Sequence, residues 1–323
     1  MKNQFEAINI FLKPIQFLLN DEAVSEIMIN KPFDVWFKKF GSKSEKVDIE
    51  FDDLQLRGLI TLLAAYSKKI ITNERSQLNS FQIISAYIPG FRFEAWNTPV
   101  SPWGPSLTIR RISSHPIPLI DYVKKEAITT ELYPLIKNLI STKRNIVIAG
   151  STGSGKTTFC SSLLNCIDQR ERLIVIENVQ EIRIDLPNVL YLAADEEQGY
   201  GVDRLITSAL RGLPDRIIIG ELRGNEASGF LKAANTGHPG SITTLHANSG
   251  KDAIYRLEEM VKSSEISLQM QSIKQRISRI EPIFIFIKLV SRKNFFSPKV
   301  TEILEVKNNK SYFYSINEIY KCI

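Results

Sequence analysis

The segment Gly150-Ser151-Thr152-Gly153-Ser154-Gly155-Lys156-Thr157 has the residue types and spacing of a phosphate-binding P-loop. Glycines at 150, 153 and 155 leave no Cβ in the way, so successive backbone N–H groups can turn inward around phosphate oxygens. The helix expected to start beyond the loop adds the positive end of its dipole. Lys156 offers a full charge to the β- and γ-phosphates, and Thr157 a hydroxyl to Mg²⁺. Residues Gly150 to Thr158 are therefore the candidate nucleotide-binding set.

Two more runs end on acids. Arg172-Leu173-Ile174-Val175-Ile176-Glu177 is followed four residues on by Glu181, and Arg216-Ile217-Ile218-Ile219-Gly220-Glu221 has the form of a Walker B strand. Carboxylates at the C-terminal ends of parallel strands face the ligand crevice. One acid to hold metal or its waters and another to orient water is what hydrolysis of a phosphoanhydride needs. In Thr236-Gly237-His238 through His246-Ala247-Asn248, His246 closes a short apolar strand and can hydrogen-bond a γ-phosphate, whereas His238 sits in a Gly/Pro turn and can simply shape it. His115, among prolines, is neither ligand nor catalyst.

The elements that must position these groups follow from the apolar pattern. Strands are expected at 145–149, 173–176, 216–220 and 242–245 with helices between several of them, which is an α/β domain with a parallel sheet covered on both faces. The run from Ile283 and the Tyr/Phe-rich stretch 312–320 add closing strands. Ahead of this, an apolar N-terminal helix, short strands at 26–30 and 35–37, a helical stretch from Leu54 to Lys69, and alternating segments at 91–96 and 106–111 read as a smaller α+β domain. Ser113-Ser114-His115-Pro116-Ile117-Pro118 breaks both patterns. The expected division is 1–112, a linker at 113–130, and 131–323.

With 323 residues, 43% hydrophobic and 24% charged, the chain can bury two cores. No run is long enough to span a bilayer, and Lys13-Pro14 interrupts the N-terminal apolar stretch before it resembles a secretory leader. The net charge of +6 is spread in short doublets such as Lys38-Lys39 and Lys68-Lys69, so direct nucleic-acid binding finds no support. Cys160, Cys166 and Cys322 lack metal-ligand spacing.

The order of four blocks resembles the secretion ATPases of type II and type IV systems: the P-loop, Ile176-Glu177-Asn178-Val179-Gln180-Glu181-Ile182, Leu210-Arg211 to Leu222-Arg223, and Thr236 to His246. In that family they are the Walker A, Asp, Walker B and His boxes. The N-terminal patterns Val24-Ser25-Glu26-Ile27-Met28-Ile29-Asn30-Lys31-Pro32 and Ser106-Leu107-Thr108-Ile109-Arg110-Arg111 are similar to the VirB class of type IV secretion and conjugation ATPases. The resemblance implies a RecA-like P-loop domain behind a smaller α+β domain, ATP and Mg²⁺ as ligands, and a homohexameric ring. It makes Glu177 the leading general base, Glu221 the Mg²⁺-linked acid, directly or through water, and Thr157 its partner at the metal. Arg92 and Arg110 match positions that reach phosphates, while Arg211, Arg216 and Arg223 flank the Walker B strand, where charge supplied across a ring interface can stabilise the transition state. Asn178 stands where the family often has Asp.

The resemblance further implies a motor at the cytoplasmic face of the bacterial inner membrane, with secretion-complex components as partners and peripheral membrane contact open to the N-terminal helix. Type IV pilus retraction or assembly motors share the catalytic blocks. A nucleotide-switched docking module is the alternative of another class. A GTPase is disfavoured, because no Asn-Lys-x-Asp motif follows the P-loop.

Overall fold

In the first part of the chain, apolar residues recur at every second position, and the backbone follows them into an antiparallel sheet. The computed structural model describes residues 2–67, 83–113, 115–196, 198–292, 295–309 and 314–322. Lys68, Lys69, Ser114, Lys293 and positions 312–313 of the expected closing strand lie outside the described residues. The chain divides into two units, residues 1–114 with 292–296, and residues 115–291 with 297–323.

The first unit contains α1 (Lys2–Phe11), α2 (Gln16–Asn20), β1 (Val24–Lys31), β2 (Asp34–Lys39), β3 (Ser44–Val47), α3 (Asp53–Tyr66), β4 (Ile83–Ile88), β5 (Phe91–Trp96) and β6 (Ser106–Arg111). Its sheet runs β3-β2-β1-β6-β5-β4 with antiparallel neighbours throughout. Ile27, Ile29, Phe93, Ala95, Leu107 and Ile109 point to one face and are buried with Leu56, Leu59, Ile60 and Leu63 of α3. That i, i+3, i+4, i+7 spacing is one stripe of a helix, as the sheet's alternation is one face of a strand. Asp52 starts α3 with a reciprocal cap: its carboxylate accepts from Gln55 N (2.7 Å), and its own N–H donates to Gln55 Oε1 (3.1 Å). The other face carries Arg92 directly opposite Arg110. Like charges so paired repel; Glu26 answers Arg110 at 2.9 Å and Glu94 answers Arg92 at 3.8 Å.

The second unit contains α4 (Leu119–Lys124), α5 (Leu132–Ser141), β7 (Ile146–Gly150), α6 (Lys156–Leu164), β8 (Leu173–Glu177), β9 (Val189–Ala193), α7 (Val202–Ala209), β10 (Arg216–Leu222), α8 (Glu226–Asn235), β11 (Ile242–His246), α9 (Gly250–Ser264), α10 (Met270–Arg279), β12 (Ile283–Arg292), β13 (Phe295–Lys307) and β14 (Ser315–Lys321). Its sheet order is β14-β13-β12-β7-β11-β10-β8-β9. From β12 to β9 every neighbouring pair is parallel, while β13 and β14 pair antiparallel at one edge. The sheet is thus mixed rather than purely parallel. Its inner strands are buried at nearly every position, and mostly apolar, because both faces are covered. Val147, Ile174 and Ile217 meet α7 to α10 on one side, and Ile148, Val175 and Ile218 meet α4 to α6 on the other. Within 113–130, the stretch expected as linker, Leu119, Tyr122, Ala127 and Ile128 are buried in this second core. Among the described residues no helix is long and apolar enough to cross a membrane.

Candidate functional site

Six parallel strands put all their C-terminal ends on one edge, so the residues after β7, β10 and β11 arrive at one place without any further device. Gly150 ends β7, in register with His246 of β11 on one side and Ile287 of β12 on the other. A Cβ at Gly150 would stand 2.3 Å from the Ile287 carbonyl oxygen and 2.7 Å from Ser154 Oγ, so this glycine is required by close approach. Gly150→Ala is expected to destabilise the chain by about 1–3 kcal/mol, because a backbone carbonyl cannot yield as a side chain can. A urea midpoint equal to that of the wild type would contradict this. Gly153 (φ 73°) and Gly155 (φ 86°) are left-handed, and among the described residues nothing beyond the chain neighbours would lie within 4 Å of a Cβ at Gly153, which leaves open space at the loop before α6. Ser154 is 1% exposed, and among the described residues its hydroxyl has no hydrogen-bond partner.

Lys156 starts α6 almost buried, and its ammonium donates to the carbonyls of Gly150 (3.0 Å) and Ser151 (2.9 Å) and to His246 Nδ1 (3.3 Å). Because an ammonium only donates, Nδ1 accepts and the ring proton sits on Nε2. Nε2 lies 2.7 Å from Glu221 Oε1, while Arg223 Nε donates to Glu221 Oε2 at 2.6 Å. A continuous polar chain therefore runs Lys156, His246, Glu221, Arg223 across three strand ends. Burial, then the charge of Lys156, hold the His246 pKa below its ordinary value against the pull of Glu221. The shift favours the neutral imidazole.

Glu221 reaches this chain through an irregularity in β10. Ile219 pairs with Thr243 but Leu222 with Leu245, three steps on one strand against two on the other. This β-bulge returns Leu222 to the face of Ile217 and Ile219 and leaves Glu221 to meet His246. Glycine before an acid inside an apolar run is the sequence signal for it.

Glu177 is 8% exposed at the end of β8 and accepts from the N–H groups of Ile182 (3.1 Å) and Glu181 (3.2 Å) in its own loop. Its side chain lies across Gly220, where a Cβ would meet Glu177 Cγ at 2.8 Å. Burial outweighs those two hydrogen bonds and pushes its pKa up to about 7.

The structure therefore joins Thr152, Lys156, Glu221, Arg223 and His246, with Thr152 Oγ1 3.5 Å from His246 Nδ1. Thr157 and Thr158 occupy the first turn of α6, partly buried. It does not bring Arg211 or Arg216 there. Arg216 begins β10, about 16 Å from Glu221 at a strand's rise of about 3.3 Å per residue, and Arg211 precedes the strand. Arg216 is fully buried, held by two bonds to Glu171 (2.8 and 2.9 Å) and one to the Ile140 carbonyl, which is a structural post. Arg211 is exposed in the turn before it. His238 likewise lies before β11, at the other end of the strand that His246 closes. Arg92 and Arg110 belong to the first unit and are ion-paired there.

The family described as "Type II/IV secretion system protein" matches residues 11–283. The conjugal transfer protein TrbB of Rhizobium radiobacter is 34% identical over 275 residues, covering 82% of this chain and 80% of that protein. The type IV secretion system protein VirB11 of Bartonella quintana is 32% identical over 335 residues, covering 90% and 91%. The crystal structure of the VirB11 ATPase from the Brucella suis type IV secretion system, in complex with sulphate, shares 26% identity with a TM-score of 0.50 and covers 93% of this chain and 95% of that one.

Proposed function

Because this chain belongs to the type II/IV secretion system protein family, we propose that it is an ATP hydrolase that powers type IV secretion or conjugation. The observation that carries the reading is the linked set Lys156, His246 and Glu221 at the mouth of the P-loop. It supports a RecA-like ATPase domain in the second unit, with the first unit as its N-terminal domain, and a ring of six copies. Relatives named for conjugal transfer and type IV secretion favour this reading over pilus retraction.

The loop fits a polyphosphate. Its left-handed glycines leave space, and the buried Ser154 hydroxyl needs a partner. Lys156 binds the β- and γ-phosphates, exchanging neutral carbonyl partners for charged ones. Thr157 and Glu221 would hold Mg²⁺, directly or through water, and the ion would supply charge neutralisation to the phosphate oxygens. Glu177 takes the proton of the attacking water, its buried carboxyl suited to a base working near neutral pH. His246 links Lys156 to Glu221, and Arg223 steadies the far oxygen of that carboxylate. Arg92 and Arg110 are assigned to phosphate contacts, and Arg211 to an interface between copies. The motor is placed at the cytoplasmic face of the inner membrane, against secretion-complex components.

Purified protein should hydrolyse ATP with Mg²⁺, stop in EDTA, and behave as a hexamer in light scattering. Wild type and Glu177→Gln that are equally inactive, with ATP-dependent partner binding intact, would instead mark a nucleotide-switched docking module.

A further inference from the structure

Thr244 is 1% exposed in the middle of β11, a position where an apolar strand has no evident use for a hydroxyl. A buried hydroxyl needs a partner, and this one donates to the carbonyl oxygen of Gly220 at 2.8 Å. Gly220 lies inside the β10 irregularity, between the paired residues Ile219 and Leu222. Thr244 and His246 are two residues apart on one strand and so share a face. Thr244 thus grips the backbone immediately before Glu221, and His246 meets the carboxylate itself. Gly220 also passes beneath Glu177, with no room for a Cβ.

We propose that Thr244 is a positioning residue of the nucleotide site: its hydrogen bond to Gly220 holds the bulge in the register that aims Glu221 at His246 and the P-loop. Thr244 touches neither nucleotide nor metal and acts through Glu221. The proposal rests on the hydrolase reading above. Valine has the same shape as threonine and lacks the hydroxyl, so Thr244→Val tests the bond alone. Serine keeps the hydroxyl and loses the methyl.

The test compares kcat, KM and binding of a fluorescent ATP analogue for wild type, Thr244→Val, Thr244→Ala and Thr244→Ser, with thermal unfolding alongside. Misplacing a catalytic group by about an ångström costs on the order of 100-fold in rate. A fall in kcat of that order is expected for the valine and alanine variants, with KM and analogue binding unchanged and most of the rate restored by serine. In a Glu221→Gln background the valine substitution should cost nothing more, since both changes remove one interaction. Wild-type kcat in Thr244→Val, a serine variant as slow as valine, full additivity with Glu221→Gln, or loss of nucleotide binding together with hydrolysis would each overturn the proposal. A wild type that hydrolyses no ATP removes the hydrolase reading itself, and the role of Thr244 with it.

Discussion

Lys156→Ala is expected to lower steady-state ATP hydrolysis by roughly 1,000-fold, the upper end of what one preset electrostatic contact contributes to a transition state. The residue is nearly buried and its charge is held by the loop's own carbonyls at 2.9 and 3.0 Å, so the ammonium is already in place before the substrate arrives. Arginine does not substitute: its planar fork is larger than a point charge and cannot occupy the same slot between Gly150 and Ser151. Lys156→Arg should therefore be nearly as defective. A second effect follows from the polar chain. The charge of Lys156 helps to keep the His246 pKa low, and its donation to Nδ1 sets the tautomer. In Lys156→Ala that pKa should rise toward the ordinary histidine value, which an NMR titration of the ring would read directly. An alanine variant that keeps more than about a tenth of the rate would contradict the assignment of Lys156 to the transferring phosphates.

The part of this site that a sequence can carry is the part written in local spacing. The P-loop, the acid after Ile217-Ile218-Ile219 and the terminal histidine of Ile242-Thr243-Thr244-Leu245-His246 all sit at strand ends, and parallel topology then delivers them to one edge. Arg211, Arg216 and His238 belong to the same sequence blocks, yet they enter their strands instead of leaving them, and the rise of a strand carries them to the opposite edge. Residues of one sequence block are thus separated by the length of the element. The bulge at Gly220 and the Thr244 bond are set by pairing between two strands more than 20 residues apart, which no single run displays. In the first unit, β1, β2, β5 and β6 are legible from alternation, whereas β3, β4 and β13 are not, and β14, expected as a closing strand, takes its antiparallel pairing from the neighbour it finds.

Glu177→Gln is expected to remove hydrolysis and yet make the protein more stable at alkaline pH. As the proposed proton acceptor, Glu177 should contribute roughly 100- to 10,000-fold to the rate, and glutamine cannot take a proton. With its pKa pushed up to about 7, wild-type activity should also fall about tenfold per pH unit below neutrality. The stability effect has the opposite sign. Burial raises the folded pKa above the ordinary 4.5, so the folded chain favours the protonated carboxyl and loses stability as pH climbs from 4.5 to about 7. At pH 8 the ionised form costs the fold up to about 3 kcal/mol. Glutamine keeps an oxygen to accept from the N–H groups of Glu181 and Ile182 and carries no charge, so it escapes that loss. Its bonds are weaker than those to a carboxylate, which reduces the net gain to about 1–2 kcal/mol. Urea midpoints at pH 8 and pH 5 separate this from a simple structural change: the variant should be the more resistant at pH 8, and the difference should shrink toward pH 5. Equal loss of stability at both pH values would mean that Glu177 serves its loop as a cap and pays no cost for its charge. The pH-dependent gain is the expected mark of a carboxylate kept in a buried place for its chemistry at the expense of the fold.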